Sequence, residues 1–406
     1  MSRRNIILME MTVTGSTNGV TRCIEVIIEH LSRSAAYNIV WLRFIHRQKE
    51  EWVTKDLANY RLTSIALPRA LGDFLANPSE RISYWEKAYS LFRAELGTNP
   101  ILHLHTLNLI ELALLIKQHQ TCKIVTHLHC IPWKSLYNKD RKYFNQLYAK
   151  HVACHETSKR SLCISHHESD CYTKSDYVIC VTECGRSHVE CSCPDHTKKL
   201  VVIPNGLMDI AGNQLAVRER LHKPVKLLFV GNPNPSKGLM DILNVLEIVR
   251  FKAEVMLTVV GSFTPFQQTN IYHQHPFLDI RFVGHIPLYQ LREYYAGHDI
   301  GLIASLQEQC SYVAIEMMMF GLPVVTTDVD GLNEMFTNSC ACKIPVVFSE
   351  QSSLKMDEMK MADAIIRLIY DPDLRIRISK NARRHYLSKY KSLKMIHSIE
   401  QIYRTL

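Results

Sequence analysis

Two glutamates, Glu308 and Glu316, are separated by seven residues, between the apolar run DIGLIAS and the sequence GLPVV. A carboxylate is costly to bury unless it is paired or hydrogen-bonded. Glu308 falls in a predicted loop, and Glu316 falls in the helix-like stretch YVAIEMMMF among apolar neighbours. Adjacent hydroxyls of a sugar can bond a carboxylate bidentately, so the two glutamates predict a sugar site. The alternative for Glu316 is a cap or an ion pair within the fold.

Two glycine-bearing turns between a strand and a helix are candidate ligand sites. In LLFVGNPNPSKGLMDIL a strand ends at Gly231 and a helix begins near Lys237 and Gly238. Unpaired N–H groups and partial positive charge at a helix N-terminus favour phosphate, and the lysine adds a full charge. The glycine spacing is not that of a P-loop, so for this motif taken alone an ordinary turn is the favoured interpretation and a phosphate site is the alternative. In VTGSTNGVTRCIEVI, Gly15 and Gly19 would let a ligand approach the backbone.

Four histidines end two predicted strands as His-x-His pairs. His103 and His105 form one pair, and His127 and His129 form the other. Alternation along a strand puts both members of a pair on one face, which suits a metal ion. Hydrogen bonding at the strand ends is the favoured interpretation, with the metal as the alternative.

The cysteines are numerous but do not indicate a disulfide framework. There are 13, an odd number, and no secretion signal is recognised at the start of the chain. Seven of them lie between residues 154 and 193, so a zinc site was weighed there. The paired C-x-x-C knuckles of structural zinc are missing, and Cys180 in DYVICVT is expected to serve as a small apolar residue. Zinc in this region is disfavoured.

Composition indicates an ordinary globular protein. The 406 residues are 47% hydrophobic and 21% charged, which allows two domains. No apolar run reaches the ~20 residues of a bilayer span, and a cytoplasmic location is expected. No module or aromatic-interleaved basic patch indicates nucleic acid.

The net charge of +9 is concentrated near the C-terminus. Between Asp373 and Glu400 no acidic residue occurs, and eight basic residues do: Arg375, Arg377, Lys380, Arg383, Arg384, Lys389, Lys391 and Lys394. A solvated helix face is the favoured interpretation. The alternative is peripheral contact with anionic lipid at the inner face of a membrane.

Alternation of short β-rich runs with helical stretches predicts an α/β fold with parallel sheets. The pattern stops near VVIPNGLMDIAGNQ and begins again, which indicates two successive Rossmann-like domains. The expected limits are 1–204 for the first domain, 205–375 for the second domain, and 376–406 for a helical segment that packs back on the first domain.

The ordered motifs VVIPNG, LLFVGN…SKG, LTVVG, IRFVGH, LREYYAGHDIGLIAS, E-x7-E, GLPVVTT and GLNEMF resemble glycosyltransferase family 4. The resemblance is strong over roughly residues 200–340 and weaker towards both ends. It implies a retaining enzyme of the GT-B fold, whose two sheets face each other across a cleft. It also implies that 1–204 is the acceptor-side domain and that 205–375 is the nucleotide-sugar-binding domain.

The resemblance also implies roles for individual side chains. Glu316 matches the glutamate that bonds the ribose of the nucleotide, and Glu308 matches the one that contacts the donor sugar. Lys237 would neutralise the diphosphate, with Gly19 lying against the same phosphates. His129 matches a histidine that reaches the donor sugar, so Glu308, Lys237 and His129 are the expected catalytic residues.

Backbone groups complete the implied donor site. The base would be met at Gly284, His285 and Ile286, and the sugar and phosphates at Gln309, Cys310, Ser311 and Tyr312. Asn232 occupies the donor-site position at which the family usually has arginine. The usual Gly-Phe-Gly after the first glutamate is QCS, and a Gly-Gly has become Asp330–Gly331. The resulting DVD at 328–330 is interpreted as a plain loop rather than a metal motif.

The implied reaction moves a hexose-type sugar from a UDP- or GDP-sugar to an acceptor hydroxyl without a metal cofactor. The acceptor is left open among glycans, lipid-linked carriers and peptides. The alternatives are a nucleotide-sugar epimerase or hydrolase of the same fold, and a catalytically silent nucleotide-sugar-binding protein.

Overall fold

The computed structural model describes residues 3–13, 18–46, 52–68, 77–137, 142–143, 146–149, 165–212, 215–216, 219–348 and 354–406. The chain divides into two compact units. The first unit comprises Met1–Trp133, Ala149–Asn205 and Ser392–Leu406, and the second comprises Lys134–Tyr148 and Gly206–Lys391.

The first unit is built on an eight-stranded sheet of order β3-β4-β2-β1-β5-β6-β7-β8. Its described strands are β1 Arg4–Val13, β2 Tyr37–His46, β3 Trp52–Leu57, β4 Tyr60–Ala66, β5 Ile101–Leu104, β6 Lys123–Leu128, β7 Tyr177–Cys180 and β8 Leu200–Val202. β3 pairs antiparallel with β4, and the other pairs are parallel.

Helices accompany this sheet in the alternation that the sequence predicts. The described α-helices up to residue 192 are α1 Gly19–Leu31, α2 Pro78–Leu96, α3 Ile110–His119, α4 Pro132–Tyr137, α5 His166–Lys174 and α6 Glu183–Ser192. Two short 3₁₀ helices, Leu107–Leu109 and Pro194–Lys199, lie in the connections. Parallel strands covered on both faces are expected to be continuously apolar, and Ile6, Ile7 and Leu8 of β1 are fully buried.

The second unit contains a parallel six-stranded sheet of order β11-β10-β9-β12-β13-β14. Its described strands are β9 Val225–Val230, β10 Val255–Val260, β11 Asp279–Gly284, β12 Ile300–Ile303, β13 Val324–Thr327 and β14 Cys342–Ile344. A separate antiparallel pair is formed by β15 Val346–Phe348 and β16 Leu354–Met356.

Seven described helices cover or follow this sheet: α7 Leu239–Val249, α8 Pro265–Gln274, α9 Leu288–Gly297, α10 Tyr312–Phe320, α11 Asp330–Met335, α12 Glu358–Tyr370 and α13 Pro372–Lys389. α7 buries Ile242, Leu243 and Leu246 in the core of the second unit. A 3₁₀ turn, Pro235–Lys237, precedes α7. The last helix, α14 Ser392–Thr405, belongs to the first unit.

The last two helices of the chain belong to different units. α13 lies in the second unit, where Ser379 Oγ donates to the carbonyl of Gly321 at the end of α10. α14 lies in the first unit, where the hydroxyl of Tyr403 bonds His103. The C-terminal segment therefore divides between the units near Lys391. The chain is predicted from the alternation alone to have an α/β fold with two Rossmann-like units, and the structure confirms this.

Two of the eight basic residues near the C-terminus are used inside the second unit. Arg375 is buried and donates to the carbonyls of Leu368 and Glu219. Arg383 forms an ion pair with Asp209 at 2.7 Å. Among the described residues, no helix has the length and apolarity needed to cross a membrane.

Two cysteines of the cysteine-rich region lie in the core of the first unit. Cys171 and Cys180 are fully buried, as expected of a small apolar residue at Cys180, and burial raises the pKa of each thiol to about 12. No cysteine of the described residues forms a disulfide. Cys154 and Cys163 lie outside the described residues.

Candidate functional site

The strand order of the second unit creates a switch point between β9 and β12. The chain runs from β9 outward through β10 and β11, and then returns to place β12 on the other side of β9. In open parallel sheets, ligands bind outside the carboxyl ends of the strands at such a point. The turns that follow these two strands contain Lys237 and Glu308, two of the charged residues of the predicted donor site.

The turn after β9 is a rigid, side-chain-capped structure. The side chain of Asn234 accepts hydrogen bonds from the backbone N–H and the hydroxyl of Ser236, at 3.0 and 2.9 Å. Gly238 follows with a φ of 70°, and a Cβ there would stand 2.2 Å from the carbonyl oxygen of Ala304. Only glycine fits a backbone this close to the neighbouring strand end. The turn therefore holds Lys237 at a fixed place beside β12.

The turn after β12 is held by backbone contacts on both sides. The N–H of Leu306 donates to the carbonyl of Ser236 at 2.8 Å, which ties this turn to the one after β9. The N–H of Gly331 donates to the carbonyl of Glu308 at 3.0 Å. A Cβ at Gly331 would lie 1.6 Å from the carbonyl oxygen of Gln309, so no side chain fits there. The loop that carries Glu308 is thus fixed before any ligand binds.

Lys237 and Glu308 are in direct contact. Lys237 Nζ donates to Glu308 Oε2 at 2.6 Å, with the side chains 36% and 16% exposed. Both side chains are within reach of solvent, so a ligand can replace the partner of each one. An anion can pair with the lysine, and hydroxyl groups can donate to the carboxylate. A phosphorylated sugar supplies both the anion and the hydroxyl groups. This pair is the chemical centre of the candidate site.

Glu316 is more deeply buried than Glu308, the other glutamate of the E-x7-E motif. It is on α10 and 2% exposed, and the hydroxyl of Tyr295 on α9 donates a short hydrogen bond to its Oε2. Both residues are buried. The structure therefore gives Glu316 a hydrogen-bond partner within the fold, and its bond to a ribose stays a prediction.

The residues that continue the loop begin α10. Ser311 caps this helix by accepting from the N–H of Ala314 at 3.3 Å, and its own N–H lies 3.2 Å from the sulfur of Met335. Four consecutive residues are largely buried here: Gln309, Cys310, Ser311 and Tyr312. An N-terminus of this kind presents N–H groups and partial positive charge beside Glu308.

The residues predicted to meet the base and the phosphates lie at neighbouring strand ends. Gly284 ends β11, and its carbonyl accepts from the N–H of Gly261 at 2.9 Å. His285 is exposed and Ile286 is partly exposed. Asn232 is exposed beside the turn that holds Lys237, with its Oδ1 3.5 Å from the N–H of Ser262. Their predicted contacts with a nucleotide stay predictions.

Gly19 and His129 belong to the first unit. Gly19 is the exposed first residue of α1, which Asn18 caps, and Gly15 lies outside the described residues. His129 Nε2 is 2.9 Å from His105 Nδ1, and burial lowers the pKa of His129 to about 3. A neutral imidazole engaged with another histidine is what the structure shows at this position.

The sequence DVD at 328–330 is engaged with lysines. Lys134 Nζ donates to Asp330 Oδ1 at 2.6 Å, with both side chains almost fully buried, and Lys343 Nζ is 3.0 Å from Asp328 Oδ1. Asp330 has a φ of 40°, which is rare outside glycine. Lys134 could not be identified from the sequence, because 196 positions separate it from Asp330. Asp328 and Val329 lie outside helices and strands and Asp330 begins α11, so the interpretation of DVD as a plain loop rather than a metal motif stays a prediction.

Comparison with known proteins matches the second unit to one family. A family model described as Glycosyl transferases group 1 matches residues 224–371, which include both turns of the candidate site. Glycogen synthase of Mycobacterium tuberculosis is 28% identical over 215 residues, or 50% of this chain and 48% of that protein. The chain thus spans about half the length of the curated relatives it matches.

Solved structures resemble the whole chain. Sucrose-phosphate synthase from Thermosynechococcus elongatus is similar with a TM-score of 0.73 and 16% identity, over 99% of each chain. Anabaena Alr3699/HepE, solved in complex with UDP and glucose, is similar with a TM-score of 0.67 and 14% identity over 100% of each chain. This likeness shows the fold, which is the GT-B fold that the sequence resemblance implied.

Proposed function

We propose that the protein is a glycosyltransferase that moves a hexose-type sugar from a nucleoside-diphosphate sugar to an acceptor hydroxyl, with retention and without a metal cofactor in the reaction. The observation that carries the proposal is the contact between Lys237 and Glu308 across the switch point of the second unit. The family match over 224–371 supports it, because that range contains both residues.

In this proposal, Lys237 and the two adjacent turns stabilise the diphosphate. Negative charge builds up on the leaving group as the bond to the sugar breaks, and preorganised donors stabilise it more effectively than mobile water. Gly238 and Gly331 keep these turns in place without side chains. Glu308, once its lysine turns to the phosphate, is free to accept from sugar hydroxyls.

Glu316 takes the ribose hydroxyls in the same proposal. Tyr295 then acts as a positioning residue, because its hydrogen bond fixes the orientation of the carboxylate. Retention would follow from attack on the face that the diphosphate leaves, with the leaving phosphate accepting the proton of the acceptor. That route requires no enzymic nucleophile.

A thermal-shift experiment tests donor binding. The melting temperature would be measured with UDP, GDP and ADP, and with their sugars, for the wild type and for Lys237→Met. A ligand at 100 times its Kd stabilises a protein by ~2.7 kcal/mol. We expect one base to stabilise the wild type and the variant to lose most of that effect. Lys360→Met is the matched control, because Lys360 pairs with Asp357 on the surface of the same unit.

Turnover separates transfer from the other two functions. Incubation of the stabilising sugar nucleotide with candidate acceptors should release the nucleoside diphosphate in proportion to a new glycoside, whose anomeric configuration is read by NMR. Release without a glycoside would support a hydrolase, and binding without release would support a silent binding protein, for which the exposed Asn232 is the relevant departure. Stabilisation by none of the three bases would overturn the proposal.

A further inference from the structure

Three histidines and a cysteine converge inside the first unit. His105 follows β5, His127 lies on β6 and His129 follows it, while Cys23 lies on α1. One potential ligand atom from each of the four residues lies within 4.8 Å of those from the other three. Cys23 and His127 are almost fully buried. The parallel pairing of β5 with β6 brings the histidines together, and α1 adds the thiol from above the strands.

The histidines have nitrogens that no hydrogen bond accounts for. Both ring nitrogens of His127, and Nε2 of His105, are buried without a hydrogen-bond partner among the described residues. His105 Nδ1 and His129 Nε2 share one hydrogen bond at 2.9 Å. Buried polar atoms in native proteins almost always have a partner, and a bound ion is one explanation of an exception. Hydrogen bonding at the strand ends, favoured from the sequence, does not account for His127.

We infer that Cys23, His105, His127 and His129 bind a zinc ion. One thiolate and three imidazoles are a donor set that zinc accepts in tetrahedral geometry. Zn–N bonds of ~2.0–2.1 Å and a Zn–S bond of ~2.3 Å place neighbouring ligand atoms roughly 3.3–3.7 Å apart, so the side chains need to draw together only slightly.

A fourth histidine, His103, packs against the ring of His127. The ring of His103 stacks on that of His127, with centroids 5.3 Å apart and planes 3° from parallel. His103 Nδ1 is held by the hydroxyl of Tyr403 at 2.5 Å. A ring fixed in this way limits the rotation of its neighbour, which is what a metal ligand requires. The zinc would be structural, joining α1 to β5 and β6.

The inference is independent of the proposed function and changes the expected role of one residue. His129 was predicted to reach the donor sugar, but a nitrogen that binds zinc cannot also donate to a sugar hydroxyl. Cys23 and His127 carry no predicted role in the reaction. Variants of these two residues therefore test the metal site without removing a residue assigned to the donor.

Metal analysis of the purified full-length chain is the experiment. After equilibration with zinc and removal of unbound metal, we expect about one zinc per chain by mass spectrometry in the wild type. Cys23→Ser and His127→Asn should lose it. Cys180→Ser and His119→Asn are matched controls, because Cys180 is an equally buried thiol of the same unit and His119 is an exposed histidine on α3. Both should keep the metal.

Cobalt substitution keeps the test informative if a variant fails to fold. Wild-type protein loaded with Co²⁺ should show a thiolate-to-cobalt charge-transfer band and the visible absorption of tetrahedral cobalt, and the band should be absent in folded Cys23→Ser. A wild type that retains no zinc and shows no thiolate band would overturn the inference. So would equal zinc content in the wild type and in folded His127→Asn.

Discussion

Lys237 Nζ lies 2.6 Å from Glu308 Oε2, so these two charged side chains of the candidate site satisfy each other. A diphosphate must therefore compete with Glu308 for the lysine. We expect Lys237→Met to weaken binding of the preferred nucleoside diphosphate by ~10–100-fold, the equivalent of a charge-assisted hydrogen bond. Glu308→Gln should retain or improve this affinity, because it frees the lysine. Isothermal titration calorimetry with the bare nucleotide measures both, and parallel losses would contradict the competition.

The same pair should contribute little to stability. Lys237 is 36% exposed, and ion pairs within reach of solvent are worth ~0–1 kcal/mol. Urea unfolding of Lys237→Met should therefore give a free energy of unfolding within about 1 kcal/mol of the wild type. A larger loss would mean that the change in binding reflects damage to the fold.

Gly331→Ala should disrupt the loop that carries Glu308. The added Cβ would meet the carbonyl of Gln309 at 1.6 Å, and because this contact is with backbone the loop itself must move. We expect a loss of about 3 kcal/mol in the free energy of unfolding, together with weaker nucleotide binding. Gly297→Ala is the control, since a Cβ there has nothing within 4 Å. Equal stability of the two variants would show that the loop adjusts freely.

The buried ion pair between Lys134 and Asp330 should be sensitive to loss of either charge. Lys134→Met leaves Asp330 as a buried carboxylate without its lysine, at a cost of ~3–5 kcal/mol. The double variant Lys134→Met, Asp330→Asn removes both charges and should recover part of the loss. A double-mutant cycle by chemical unfolding measures the coupling. Additive losses would show that the two side chains do not stabilise each other.

His298 should make the second unit sensitive to mild acid. Its Nδ1 donates to the carbonyl of Tyr294 at 2.7 Å, which leaves Nε2 to accept from Thr258 Oγ1 at 2.8 Å, and burial lowers its pKa to about 4. Since the pKa in the folded state is below the ~6.5 of the unfolded chain, this stabilisation is present above pH 6.5 and declines towards pH 4, by ~3 kcal/mol in all.

Unfolding midpoints between pH 7 and pH 4.5 check this expectation. The wild type should lose stability over that range more steeply than His298→Gln, which retains hydrogen-bonding capacity but does not titrate. Parallel curves for the two proteins would assign the acid sensitivity to other groups.

The alternation of apolar runs was enough to predict the parallel-sheet architecture of both units, because strands covered on both faces leave a continuous apolar signal. β3 was missed, since WVTKDL is largely exposed and carries the charged residues of an edge strand. The limits predicted at 204, 205 and 375 stay predictions.

The residues around Lys237 and around Glu308 were enough to predict each of them as a site residue. Their contact could not be predicted in this way, because it depends on β12 returning beside β9. Cys23 and Lys134 were missed for the same reason. Each residue contacts its partners only after folding has brought distant segments of the chain together. The spacing of residues in the sequence does not indicate such contacts.

The first unit is assembled from three separate segments of the chain, and this affects how the chain folds during synthesis. The chain leaves this unit at Trp133, returns at Ala149, leaves again at Asn205 and returns only at Ser392. Arg4 bonds the carbonyl of Tyr403, 399 positions away. Contacts of such sequence separation form slowly, because a long loop must close first. We therefore expect part of the core of the first segments to stay uncovered during synthesis until the second unit has been made. During that interval these segments depend most on chaperones.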